Sequence, residues 1–335
     1  MFASLVLCQQ PDARSAAAIQ AEQLARFTRR VQATLSVPSH LVAGTAVPVT
    51  LMVMNRFPEA QAVQVDWQLP PGSHWITPPE KKIQLNSGQR CQLSGTLSIP
   101  AAQEATWTQI GATLRGSSTP LVIESPIRVL PKRVAPAAGS PPRIDGNLSE
   151  WADVSPVTWS SGNLKTRIRL RWDAAALYAG VEVEGDFSPR APTSLDRFWD
   201  GDCVEFFLDL ENDKSHERNA NDCQLFFCPL GVKDGKPLKG GFAFYRKAES
   251  LKRRLVPGES LQAAAVVGNH GYILECAIPW NALSADFRPQ TGMRIGFDVA
   301  INHNVQGSRM MKSIFGIEGK PYNQPNQWGT LFLEP

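Results

Sequence analysis

The chain has 335 residues, of which 43% are hydrophobic, and a formal net charge of +3 at pH 7. That length exceeds one ordinary sandwich and fits two domains. So small a charge, with no basic run longer than Lys252-Arg253-Arg254, excludes a nucleic-acid footprint, and no segment reaches the ~20 apolar residues of a membrane helix.

Pro (26) and Gly (25) are abundant while long helical periodicities are scarce, which points to an all-β chain. Met1 to Cys8 is apolar but lacks a basic flank and is shorter than a secretory core. It is read as a misplaced start or as part of a longer protein with further domains. Residues 12–31, with Ile19, Leu24, Phe27 and Val31 as a loose stripe, predict a helix, so residues 1–32 are an N-terminal segment with a short helix.

Residues 33–131 alternate in short strands: Ala33–Val37, Val47–Met54, Ala62–Trp67, Lys82–Leu85, Gln92–Ile99, Gln109–Leu114 and Leu121–Val129. About seven strands over this length predict a β-sandwich, and the pattern resembles the Ig-like modules that accompany bacterial carbohydrate-active enzymes. Residues 132–142, with Pro136, Pro141 and Pro142, read as a semi-rigid linker. Residues 143–335 hold about ten further strand candidates with almost no helix, which predicts a second and larger antiparallel sandwich.

None of the six cysteines forms a CxxC pair or takes zinc spacing with a histidine, so they are expected to be small buried hydrophobes. The chain carries no nucleophile elbow, paired-His motif, P-loop or dinucleotide fingerprint, and the expectation is a non-catalytic protein. Its most informative stretch is Phe198-Trp199-Asp200-Gly201-Asp202-Cys203-Val204-Glu205-Phe206-Phe207-Leu208-Asp209, an apolar strand with Trp and carboxylates at its start. An aromatic face beside acceptors suits a sugar ring, which has apolar C–H faces and a rim of hydroxyls.

Several motifs occur in the order that the family 9 carbohydrate-binding modules have them: Ile144-Asp145-Gly146 with Glu150-Trp151, Leu170-Arg171-Trp172-Asp173, Leu177-Tyr178, the Trp199–Asp209 run, Tyr272–Trp280, Gly296–Val299 and Trp328–Leu331. Residues 143–335 are identified on these grounds as resembling that family. The resemblance implies non-catalytic binding of a poly- or oligosaccharide by an extracytoplasmic bacterial protein. It implies a sugar held between two aromatic rings, Trp199 and Tyr322, with Glu205, Asp202, Gln224 and an amide from Asn302 or Asn304 as polar contacts. It also implies structural calcium, for which Asp145 and Asp209 are the candidate ligands, and no other cofactor. One departure stands out: an arginine of the family falls on Phe226 here. Two alternatives remain open, a structural sandwich whose sugar site has decayed, and a haem-binding relative using His303, Met310 or Met311.

Overall fold

The computed structural model describes residues 30–38, 40–102, 104–116, 120–193, 200–233, 236–247, 256–257, 261–305, 308–316, 322 and 324–335, without the side chains of 232–257 and 304–313. Trp199 and nearly all of the expected helix lie outside this description, Met310 and Met311 are described in backbone only, and Val31 and Gln32 belong to a strand instead. The chain divides into two units, 1–131 and 132–335.

The first unit contains strands β1 (Val31–Ser36), β2 (His40–Val42), β3 (Ala46–Asn55), β4 (Gln61–Gln68), β5 (His74–Thr77), β6 (Lys82–Leu85), β7 (Arg90–Ser98), β8 (Thr106–Arg115) and β9 (Leu121–Leu130). They form a four-stranded sheet, β1-β3-β7-β5, and a five-stranded sheet, β2-β9-β8-β4-β6. Period-2 alternation decides which face is buried. Val47, Val49, Leu51 and Val53 point inward from β3, and with Leu93 and Leu97 they meet Val63, Val65, Ile110, Ala112 and Ile127 of the other sheet.

The second unit continues with β10 (Arg133–Pro136), β11 (Val157–Ser161), β12 (Leu164–Trp172), β13 (Ala176–Glu184), β14 (Cys203–Asp209), β15 (Asp222–Lys233), β16 (Lys236–Lys247), β17 (Val256–Pro257), β18 (Gln262–Gly268), β19 (Gly271–Pro279), β20 (Arg294–Val305), β21 (Ser308–Ser313) and β22 (Gly329–Glu334). The larger sheet runs β10-β22-β20-β14-β15-β16-β17, with β21 paired to β20, and the smaller runs β11-β12-β13-β19-β18. Val204, Phe206, Leu208, Phe227 and Phe297 of the first face Ile168, Val181, Leu274 and Cys276 of the second in one core.

The segment read as a linker differs from that expectation. Arg133–Pro136 pairs in parallel with β22, and Ala135 is fully buried in the second core. Prolines at an edge strand cost no ladder hydrogen bond, so a proline-rich stretch can still end a sheet. Cys203, Cys223, Cys228 and Cys276 are buried, as small hydrophobes are, Cys91 is only half-buried, and Cys8 lies outside the described residues.

The motif Ile144-Asp145-Gly146 is a structural pin. Glu275, wholly buried on the outer side of β19, accepts on Oε2 from the backbone N–H groups of Asp145 (3.0 Å), Gly146 (2.6 Å) and Asn147 (3.1 Å). Its Oε1 accepts from the Trp151 indole at 2.7 Å. Gly146 has φ +84°, a conformation L side chains rarely adopt, and a Cβ on Gly180 would come within 2.8 Å of Leu148 and 3.2 Å of Trp151. The indoles of Trp172 and Trp280 likewise donate to the carbonyls of Glu334 and Asp173, both at 2.9 Å, so each of these three buried tryptophans has a partner for its N–H.

Candidate functional site

On β14 the side chains alternate between two destinations. Val204, Phe206 and Leu208 enter the core, so Cys203, Glu205, Phe207 and Asp209 face the opposite side of the larger sheet. Antiparallel register then fixes their neighbours. Glu205 lies between Phe226 and Ala300, Phe207 between Gln224 and Asp298, and Cys203 beside Asn302. All of these are buried.

Three residues expected from sequence meet here. Glu205 Oε2 accepts from Gln224 Nε2 at 2.6 Å, and Glu205 Oε1 accepts from Asn302 Nδ2 at 2.5 Å. A carboxylate buried without such donors would be costly, and hydrogen bonds to an ionised acceptor are the stronger kind. Because a carboxylate only accepts, Gln224 must present its nitrogen to Glu205 and turn Oε1 away. That Oε1 is buried with no hydrogen-bond partner among the described residues.

An aromatic group adjoins the polar one. The rings of Phe207 and Trp328 are 5.6 Å apart at 41°, and Tyr322, half-buried, packs against the cluster of Phe207, Ala300 and Trp328. The Arg218 guanidinium lies over both rings, 5.8 Å from Phe207 and 5.6 Å from Trp328. Trp199, the expected facing ring, lies outside the described residues.

Asp202 goes elsewhere. Its Oδ1 is 2.7 Å from His303 Nδ1 and its Oδ2 accepts from the Arg190 N–H at 2.6 Å, while the His303 ring packs at a tilt of 50° against Phe187, centroids 4.1 Å apart. Asp202 precedes Cys203 and so falls on the other side of the strand's alternation from Glu205. It braces a strand end instead of joining the Glu205 group. A cavity of about 940 Å³, lined among others by Asn163, Glu182, Asp186, His270 and Tyr272, lies at hairpin ends of the smaller sheet and shares no residue with that group.

The two expected calcium ligands are not brought together. Asp145 sits over the outer face of the smaller sheet, where Glu275 holds its N–H, and Asp209 lies on the outer face of the larger one. One ion cannot bridge the two. Among the described residues, no group of three or more His, Cys, Asp or Glu side chains is placed to hold a metal. Lys214 occupies the Asp209 region instead. Its ammonium donates to the carbonyls of Trp328 (2.9 Å) and Gly329 (2.6 Å). Burial lowers it to about 8, opposed first by Asp209 and then by Asp298, Asp222 and Asp213.

Asp222 gives a pH prediction. Burial, the largest cause, pushes its carboxyl from 3.8 up to about 6, against the Asn219 N–H that favours the charged form. The folded state therefore binds this proton more tightly than the unfolded chain. The added stability is present below about pH 4 and is lost as pH rises through about 6. Asp222→Asn keeps an acceptor for Asn219 and removes the titration. Its melting temperature should gain on the wild type's as pH goes from about 4 to about 7. Parallel melting profiles over that range would contradict the assignment.

Phe207, Trp328, Arg218 and Lys214 were missed in sequence. Phe207 lies inside an apolar run that reads as core throughout, and the signal that could have found it is its spacing of two from Glu205. The two basic residues lie in a loop, where no periodicity marks them.

Residues 147–335 match the model of the carbohydrate family 9 binding domain-like family, more than half of the chain. The chain belongs to that family, a class of all-β carbohydrate-binding domains. It is similar to endo-1,4-beta-xylanase A of Thermoanaerobacterium saccharolyticum, 27% identical over 212 residues that make up 60% of this chain and 16% of that protein. It is also similar to exoglucanase XynX of Acetivibrio thermocellus, 26% identical over 61% of this chain and 17% of that protein. The matched region spans under a quarter of these relatives' length. Among solved structures, a family 9 module from Caldicellulosiruptor kristjanssonii in complex with cellotriose aligns with TM-score 0.46 and 20% identity, covering 61% of this chain and 94% of that one.

Proposed function

We propose that the C-terminal sandwich binds an oligo- or polysaccharide without transforming it, on the outer face of the larger sheet. The observation that carries the reading is the Glu205–Gln224–Asn302 group set beside Phe207, Trp328 and Tyr322. Sugars are recognised by fixed acceptors and donors for hydroxyls together with an aromatic surface for C–H faces. Gln224 Oε1 is the acceptor for a ligand hydroxyl, and Tyr322 is a stacking face. Glu205 is a positioning residue: both its oxygens are engaged by amides and its side chain is wholly buried, an arrangement unlike an acid poised to exchange protons with substrate. Trp199 is the second stacking ring on the family pattern.

In this reading the chain delivers or displays a longer protein at polysaccharide outside the cytoplasm. Among the described residues no helix is long and apolar enough to cross a membrane. A glycan array probed with the purified chain tests the reading. Xylo- and cello-oligosaccharides are the first candidates, after the xylanase and exoglucanase relatives. One ring and a few hydroxyl contacts support dissociation constants of roughly 0.01 to 1 mM. The second reading, a structural sandwich with a decayed sugar site, is favoured by Phe226 and by the complete burial of Glu205. An array without any bound glycan would select it.

A further inference from the structure

Family resemblance implies calcium near Asp209, and the residues there do not fit it. A calcium ion needs about six to eight converging oxygens. Asp209 spends both carboxylate oxygens on the N–H groups of Asp213 (3.3 Å) and Lys214 (3.1 Å). Asp298 Oδ1 accepts from the N–H groups of Val299, Ile314 and Phe315. The carbonyls of Trp328 and Gly329, which a cation could use, already accept from Lys214 Nζ.

We propose that Lys214 is a built-in cation that stands in for a metal ion beneath the carbohydrate face, holding the start of β22 without calcium. The backbone is shaped for it. Asn212 and Lys214 both have φ +53°, a left-handed conformation uncommon outside glycine, and the Asp209 carboxylate holds the turn between them. The lysine stem then runs inward to the first carbonyls of the strand. Four carboxylates, Asp209, Asp298, Asp222 and Asp213, favour its charged form against burial, and its ammonium is aimed at two carbonyl acceptors. The same loop reaches this segment at other points too: among them, the Asn326 N–H donates to the Ser215 carbonyl at 3.0 Å, and Arg218 lies over the Trp328 ring. Lys214 is thereby a positioning residue for Trp328 and for the cluster that carries Tyr322. Only this last consequence rests on the carbohydrate reading.

The test is lysine-selective reductive methylation of the intact native chain, read by mass spectrometry, in a chelator and in about 10 mM calcium, above the weakest calcium-module affinities. Lys214 should be at least about tenfold less modified than the half-exposed Lys132 in both conditions, since its reaction requires local opening. Modification at the surface rate, or release of Lys214 by calcium, would overturn the proposal. As a second measurement, Lys214→Met, which keeps the stem and removes the charge, should melt clearly below the wild type, with or without calcium. Melting at the wild-type temperature would overturn it too. Neither readout depends on a sugar, so failure of the carbohydrate reading would appear separately, as an empty glycan array.

Discussion

Replacing Glu275 by alanine will cost the C-terminal sandwich about 4 kcal/mol of stability, the range in which breaking a buried charged network falls. Glu275 is wholly buried, and its two oxygens satisfy four donors: three successive backbone N–H groups and the Trp151 indole. Alanine takes the Glu275 acceptor from all four, leaving only the Asn147 N–H with another, Asp145 Oδ1 at 3.0 Å, and opens a space beneath Trp151, which is itself fully buried. Glu275→Gln preserves the volume and one acceptor, so it should lose less. Urea denaturation of both variants measures this, with an unchanged slope showing that the loss lies in the folded state. A loss below about 1 kcal/mol for the alanine variant, the level of an ordinary exposed ion pair, would contradict the pin.

The second large effect is expected at Glu205. Glu205→Ala strands the amides of Gln224 and Asn302, which no longer have a common acceptor to orient them. Saccharide affinity should fall about a hundredfold, equivalent to roughly 3 kcal/mol. Stability should fall by about 2 to 3 kcal/mol from two unmade charge-assisted bonds. Glu205→Gln is not a rescue, because its amide nitrogen would face another amide nitrogen. Binding that survives undiminished in Glu205→Ala would show that this carboxylate does not organise the site, whereas loss of both folding and binding would be resolved by titrating at a temperature where the variant is still folded.

Legibility in the sequence followed pattern strength. The strands that alternate cleanly, such as Leu164–Trp172 and Lys82–Leu85, were visible because period-2 burial leaves a clear trace. Glu205, Gln224 and Asn302 were picked out singly, and cross-strand register is what joins them. Register is a tertiary property that no local window contains. Arg133–Pro136 was hidden by its own composition, since Pro136 speaks for a linker until β22 is seen beside it. Asp202 was misplaced because a one-residue step along a strand reverses the face. Lys214 was invisible for a different reason: its role depends on two carbonyls more than a hundred residues away.

The central claim, that this face binds saccharide, is tested most directly by calorimetric titration of the intact chain with a soluble oligosaccharide selected from the array. Wild type and Tyr322→Ala are compared under the same conditions. Tyr322 is half-buried at the rim of the aromatic cluster, so its truncation should spare the fold while deleting a stacking face. The account predicts a wild-type dissociation constant of roughly 0.01 to 1 mM and a loss of at least about tenfold in the variant, with little change in melting temperature. Equal affinities in the two proteins would place the ligand elsewhere, and a wild type that binds no oligosaccharide at all would contradict the account.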